Sequence, residues 1–311
     1  MGELTRISSA EVTQQAITEE LYKRFIAFVD AKPKTIETYT RALKQFFAYL
    51  YRNNINKPER ADVIAFREEL KASGHRPSTI QNYITTVRLF FQWTEQEHIY
   101  ENVAAHIKGS KIDQGHKKDY LTGKQVKALI SDIDRTTEQG QRDYAILSLM
   151  ITTGLRTIEI IRADIGDLRA VANDTVLYVQ GKGHDEKTDF VKVSEPVEKA
   201  IREYLKNRQA DDSQPLFTSE ANRNKGGRMT TRSISRIVKE NLISAGFNSD
   251  RLTAHSLRHT AATLNLLNGG TIEETQQLLR HTSINTTMIY SHHLDRMRNN
   301  SEDRVAKAIF G

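Results

Sequence analysis

Cysteine does not occur anywhere in the 311 residues. Its absence excludes a disulfide framework and thiolate metal sites, and it suits a reducing compartment such as the cytoplasm, where the protein is expected to work. No apolar run approaches the length of a membrane span, so no membrane partner is expected. The opening order Met1-Gly2-Glu3-Leu4-Thr5-Arg6 lacks the basic-then-apolar pattern of a secretory signal. No Gly-x-x-x-x-Gly-Lys-Ser/Thr loop is present to cradle a nucleoside triphosphate. What the chain does have is an ordinary globular balance, 38% hydrophobic and 27% charged, over a length sufficient for two domains. Its formal charge of +6 and pI near 9.3 favour a polyanionic partner through counterion release. Many basic proteins bind no nucleic acid, however, so charge alone decides little.

Residues 1–13 read as a polar leader, and residues 14–107 carry apolar positions at the three-and-four spacing of helices. Thr35-Ile36, Tyr39, Leu43-Lys44, Phe46-Phe47 is echoed at the same spacing by Thr79-Ile80, Tyr83, Val87-Arg88, Phe90-Phe91. Each segment follows a proline, Pro33 or Pro77, and Ser78 with Gln81 has the pattern of a capping box. An echo this short predicts two helices packed in a small bundle rather than a repeat protein. Lys32, Lys34, Lys44, His75, Arg76 and Arg88 are candidates for phosphate contacts, although single surface cations are more often plain solvated charges. Residues 108–118 are poor in apolar side chains and hold two glycines and four lysines, Lys108, Lys111, Lys117 and Lys118. That composition predicts a domain boundary, a basic linker able to lie along a DNA backbone or to serve as a simple tether.

A second domain is expected over residues 119–293, opening with a Thr122–Gln125 capping box. The apolar stretch Tyr144 to Ile151 predicts a buried helix capped at Gly154. Val176–Val179 and Phe190–Val193 predict a hairpin around a turn rich in glycine and charge. Residues 294–311 form a tail whose Val305, Ala306, Ala308, Ile309 and Phe310 predict a short amphipathic helix. The expected fold is therefore mainly α, with a helical amino-terminal bundle and a mostly helical second domain carrying a small antiparallel sheet.

Five segments of the second domain place polar residues where a purely structural sequence has little use for them. In Thr153-Gly154-Leu155-Arg156-Thr157-Ile158-Glu159 the carboxylate shares a helix face with the arginine and can hold its guanidinium. Gly181-Lys182-Gly183 sits at the predicted hairpin tip, with backbone freedom on both sides of the lysine. His255-Ser256-Leu257-Arg258-His259 puts His255 and Arg258 on one face. Leu279-Arg280-His281-Thr282 is a helix end, and Ser283 to Tyr290 starts with a predicted cap at Ser283 and ends in a tyrosine. Each alone is better explained as an ion pair, an exposed turn or a helix cap. Lys187 and Lys192 compete with Lys182 on the same hairpin. His292 and His293 are adjacent and share no helix face, which argues against a metal pair.

The ordered set resembles the tyrosine recombinase (phage integrase) family, over nearly the whole chain from about residue 14. That resemblance implies a core-binding (SAM-like) front domain and a catalytic domain that clamp DNA together. Position by position, it implies catalytic roles for Arg156, Lys182, His255, Arg258, His281 and Tyr290, with Glu159 and His259 in support. Many members have glycine where this chain has Arg280, a departure that places one more cation near DNA. The implied activity is site-specific recombination through a covalent 3′-phosphotyrosyl intermediate and a Holliday junction, with no metal, ATP or other cofactor. The implied partners are duplex DNA with short inverted-repeat core sites, a homotetramer formed on it by exchange of the tail, and an accessory directionality factor. Since the helical region opens so early, the expectation is a simple integrase or Xer-type resolvase without an arm-binding domain.

The residue types suit that chemistry. Two arginine forks, Arg156 and Arg258, can stabilise the extra charge of a phosphorane-like state, with His281 as a third donor. A phenol of pKa about 10 needs cations or a base, for which His255 is the candidate. Lys182 can protonate the leaving 5′-oxygen. Two other readings compete: a type IB topoisomerase-like enzyme, which needs no docking tail, and a DNA-binding protein that has lost catalysis, which predicts a damaged constellation.

Overall fold

Proline opens two twenty-residue helices of the amino-terminal unit, α2 (Pro33–Arg52) and α4 (Pro77–Gln96). The computed structural model describes residues 19–111, 119–181, 185–206, 208, 210–298 and 300–311, with side chains at all of these except 19 and 292–298. The leader, Lys117, Lys118 and Lys182 lie outside the described residues, as do the side chains of His292 and His293. The chain divides into two compact units, residues 1–115 and 116–311.

The first unit adds α1 (Glu19–Phe28) and α3 (Arg60–Ala72). At α2 and α4 the proline occupies the first turn, where its missing N–H has no helical partner to lose. The residue ahead of each proline is driven to extended backbone, so the caps are Lys32 and Arg76. Ser78 therefore falls inside the first turn of α4, and the Ser78–Gln81 pattern is not the cap of that helix. The echoed positions Leu43 and Val87, and Phe46 and Phe90, are all fully buried. Burial beyond those pairs is unequal, because α4 packs on both α2 and α3 and so hides more of its circumference. Aromatic rings fill the centre: Phe46 meets Phe66 at 5.2 Å and Phe25 meets Phe90 at 5.4 Å, both edge to face. Such pairs add about 0.5–1.5 kcal/mol each beyond their area.

The second unit contains α5 (Gly123–Ser131), α6 (Glu138–Thr153), α7 (Thr157–Arg162), β1 (Leu168–Val171), β2 (Asp174–Val179), β3 (Asp189–Val193) and α8 (Glu195–Leu205). It continues with α9 (Thr231–Ser244), α10 (Ala254–Leu267), α11 (Ile272–Leu279), α12 (Asn285–Arg298) and α13 (Ser301–Phe310). The Thr122–Gln125 capping box is formed, with Thr122 N–H donating to Gln125 Oε1 at 2.8 Å. Helix α6 is the spine, with Ala145, Ile146, Leu147, Leu149 and Met150 wholly buried and α8 and α10 packed along it. The sheet is antiparallel in the order β1-β2-β3. Leu177 stands opposite Val191, and both face the core, while Phe190 lies on the other face and is exposed. Strand β1 was not expected; it is an edge strand with no residue of its own buried, so its sequence has no inward alternation to read. Helix α12 begins at Asn285, leaving Ser283 two residues ahead of it, and runs unbroken past residue 293 to Arg298. Among the described residues no helix is long and apolar enough to cross a membrane.

Candidate active site

The end of α6 sets the site's geometry. Gly154 closes the helix in the left-handed conformation, φ +61°, and a Cβ there would lie 2.7 Å from Leu279 Cδ2. Only glycine meets both conditions. The turn sends Leu155 into the core and delivers Arg156, in extended conformation, as the cap of α7. One helical turn on, Glu159 reaches back. Its Oε2 accepts from the Arg156 backbone N–H at 2.7 Å and its Oε1 from the Arg156 guanidinium at 2.9 Å. Glu159 has no exposed surface, and a carboxylate so placed is tolerable only when fully paired.

Helix α10 carries His255 and Arg258 three residues apart. His255 is exposed, whereas Arg258 is 2% exposed. The Arg258 guanidinium donates to the carbonyls of Gly154 and Leu279, tying the end of α6 to the end of α11. Burial first, then the charge of Arg156, pushes its pKa down to about 9, so it stays cationic at neutral pH.

Helix α11 ends at Arg280, a non-glycine residue in the left-handed region at φ 52°. Its guanidinium donates to Leu278 O at 2.9 Å and to Glu159 Oε2 at 2.9 Å. Guanidiniums thus cover two carbonyls at the negative end of α11, a favourable arrangement for the helix dipole. Arg280 was expected to place one more cation near DNA; its side chain is 10% exposed, with the guanidinium bonded to Glu159.

His281 follows on the same turn. Its Nδ1 lies 2.8 Å from Thr287 Oγ1, and its carbonyl accepts from Gln276 Nε2 at 2.9 Å. Burial, aided by Arg258, Arg156 and Arg280, pushes the imidazole pKa down to about 4. The ring is therefore neutral at pH 7, and in the tautomer where Nδ1 accepts from the Thr287 hydroxyl its one N–H, on Nε2, is left for a ligand. Thr287, wholly buried, was not singled out from the sequence. Its signal was its place three residues before Tyr290, hence on nearly the same face of α12.

Tyr290 is 5% exposed and packs with Ala262 and Leu279. Its ring centroid is 5.2 Å from that of His259, which lies 4.6 Å from that of His255. Burial raises the phenol pKa, while the charges of Arg258 and Arg156 act to lower it. Arg156, His255, Arg258, Arg280, His281 and Tyr290 all line one cavity of about 450 Å³. Two guanidinium forks and a neutral imidazole around one space can bind a compact oxyanion beside a phenol.

The remaining expected residues lie elsewhere. Lys187 donates to Asp164 at 2.6 Å and to Asp167, and Asp164 also receives Arg228. Lys192 pairs with Asp174 at 2.7 Å. Both hairpin lysines that compete with Lys182 are thereby engaged. In the first unit Lys32, Lys34, Lys44, Arg76 and Arg88 are exposed, as are Lys108 and Lys111. His75 is partly buried, its ring 6.0 Å from Tyr83.

Sequence comparison matches residues 119–297 to the phage integrase family and residues 20–98 to the phage integrase N-terminal SAM-like domain. The chain is 28% identical over 304 residues to tyrosine recombinase XerC of Caldanaerobacter subterraneus subsp. tengcongensis, covering 89% of this chain and 82% of that protein. It is 30% identical over 263 residues to tyrosine recombinase XerD of Staphylococcus epidermidis, covering 83% and 87% respectively. Among solved structures, the XerH site-specific recombinase bound to palindromic difH substrate in a post-cleavage complex superposes with a TM-score of 0.70 at 20% identity, covering 93% of this chain and 83% of that one. A lambda integrase tetramer bound to a Holliday junction gives 0.70 at 16% identity, covering 90% and 78%. At those identities the structural likeness speaks for the fold.

Proposed function

From the premise that this chain belongs to the phage integrase family and is a site-specific DNA recombinase of the tyrosine type, we propose how its residues divide the reaction. Tyr290 Oη attacks a DNA phosphorus, forming a tyrosyl–phosphate ester on the 3′ side as the bond to the 5′-oxygen breaks. Arg156 and Arg258 hold the non-bridging oxygens, where charge accumulates, and His281 gives its single N–H to the same centre. His255 takes the phenolic proton. Lys182 protonates the departing 5′-oxygen. Attack by a 5′-hydroxyl from a partner strand reverses these steps and releases the enzyme. One ester replaces another, so bond energy is conserved and no nucleotide triphosphate is needed.

The single observation that carries this reading is the gathering of two arginines, His281 and Tyr290 around one cavity, with Glu159 orienting Arg156. The DNA would be a duplex with short inverted repeats, engaged also by exposed cations of the first unit such as Lys44 and Arg88 and by Lys108 and Lys111. Helix α13 favours recombination over simple relaxation of supercoils. None of its residues is buried, and Val305, Ile309 and Phe310 are 58%, 66% and 84% exposed. An apolar face left uncovered by its own domain fits docking on a second copy, four copies assembling on a Holliday junction.

The test is a nicked suicide duplex chosen by binding to the Tyr290→Phe protein, with adducts resolved on a denaturing gel. The unsubstituted protein should give a DNA-linked band and Tyr290→Phe none. A band persisting in the variant would mean that another residue is the nucleophile. No band from either, despite binding, would leave a DNA-binding protein without catalysis.

A further inference from the structure

Arg280 is the cation of the site whose role neither the phosphate grip nor the proton transfers absorb. It occupies a backbone conformation that disfavours every residue with a Cβ, at φ 52° and ψ 50°. Glycine would fit that corner without strain, so the arginine side chain needs a reason to be there. A cation serving a DNA backbone from the surface would stay largely in water, as the Lys34 side chain does at 82% exposure even while paired with Glu37, whereas the Arg280 side chain is 10% exposed. One arm of its fork is bonded to Leu278 O and the other to Glu159 Oε2, each at 2.9 Å. Its Nε is buried with no hydrogen-bond partner among the described residues, so the side chain is held by those two bonds. The carboxylate it grips is the one whose other oxygen directs the Arg156 guanidinium.

We propose that Arg280 is a positioning residue of the strand-transfer reaction, fixing the Glu159 carboxylate and through it the Arg156 fork, and locking the turn that presents His281. Without it, Glu159 Oε2 keeps only the Arg156 backbone N–H, at 2.7 Å. The carboxylate then keeps its two bonds to Arg156 but loses the third, which ties it to the end of α11, so the Arg156 fork is less firmly directed. The same loss removes one of the two arginine links, the other being Arg258, between the segments that carry Arg156 and His281. This proposal rests on the reading that Arg156 grips the scissile phosphate. Misplacing an orienting group by a fraction of an ångström to one ångström costs up to about a hundredfold in rate.

The experiment uses full-length protein with Arg280→Gly and Arg280→Lys on the nicked suicide duplex described above. Half-site affinity, single-turnover adduct rate at saturating DNA and melting temperature are each measured. The glycine variant relieves the left-handed corner but gives up the pair with Glu159, so it should melt only slightly lower and bind the duplex within about threefold, yet form adduct about ten- to a hundredfold more slowly. Arg280→Lys, which keeps the charge but not the fork, should recover part of that rate. An adduct rate within twofold in Arg280→Gly would overturn the proposal. So would weakened binding with the rate at saturation unchanged, which would make Arg280 a DNA-backbone cation. So too would a melting temperature that falls in step with the rate across both variants, which would mark a scaffold role. Failure of the unsubstituted protein to form adduct would instead remove the underlying assignment of Tyr290, and with it this one.

Discussion

The wholly buried carboxylate of Glu159 grips Arg156 twice, through the guanidinium at 2.9 Å and the backbone N–H at 2.7 Å. That double hold makes one side chain both the cap of α7 and the rudder of a phosphate-binding arginine. Replacing it with alanine leaves Arg156 and Arg280 without their counter-charge. Glu159→Ala should lose about 3–5 kcal/mol of stability, by analogy with buried pairs broken on one side. Urea unfolding measures this. A loss below about 1 kcal/mol would show that solvent or the neighbours replace the carboxylate.

His281 gives a pH dependence of known sign. Its pKa is about 4 in the folded protein and about 6.5 when unfolded, so between these values the unfolded chain binds a proton that the fold refuses. Stability is complete above pH 6.5 and falls as pH drops towards 4. The contribution is at most about 3 kcal/mol and smaller if solvent screens the ring. Comparing urea unfolding at pH 7.5 and pH 5 for the unsubstituted protein and His281→Gln isolates it. The variant should lose less on acidification; equal losses would refute a neutral buried imidazole.

Burial of Tyr290 predicts a silent nucleophile in the absence of DNA. Its phenolate should appear only above the usual tyrosine range near pH 10. The measurement is the tyrosinate absorbance of the free protein minus that of Tyr290→Phe across pH 8–12. A difference signal developing below pH 9 would show that the two arginines outweigh desolvation.

The assignment of Lys182 to the leaving group has a chemical test. Lys182→Ala should cleave an ordinary suicide duplex at least about a hundredfold more slowly, a typical general-acid contribution. A substrate with sulfur in place of the leaving 5′-oxygen departs without protonation and should restore the rate. If the sulfur substrate fails to rescue, the proton comes from elsewhere.

Deleting residues 300–311 should spare binding to one half-site and weaken cooperative occupancy of a full site at least tenfold, or about 1.4 kcal/mol. Gel-shift titration on half and full sites reads both. Unchanged cooperativity would show that the exposed face of α13 is not an interface.

Much of this was legible in the sequence because the informative residues sit beside signals with local physical causes. Gly154 announces the end of α6, and the Glu159 spacing announces the pairing with Arg156. The inward residues of β2 and β3 alternate as a half-buried hairpin must. Other features depend on the tertiary surroundings. Ser78 looked like a cap, but Pro77 next to it moved the helix start back by two residues. Strand β1 buries none of its residues and so leaves no pattern. Arg280 read as one more cation, since no sequence shows that a helix end will twist its side chain towards a carboxylate 121 positions earlier in the chain.

The crowding of like charge around Glu159 couples anion binding to stability. Arg156, Arg258 and Arg280 bring three positive charges around a single carboxylate, in a pocket partly shielded from water. Folding must compress that repulsion before any substrate arrives. A compact doubly charged anion entering the cavity offsets that repulsion, so binding it also stabilises the fold. Inorganic phosphate or sulfate at millimolar concentrations should raise its melting temperature and slow its DNA cleavage together, because the place that steadies the protein is the place where it cuts.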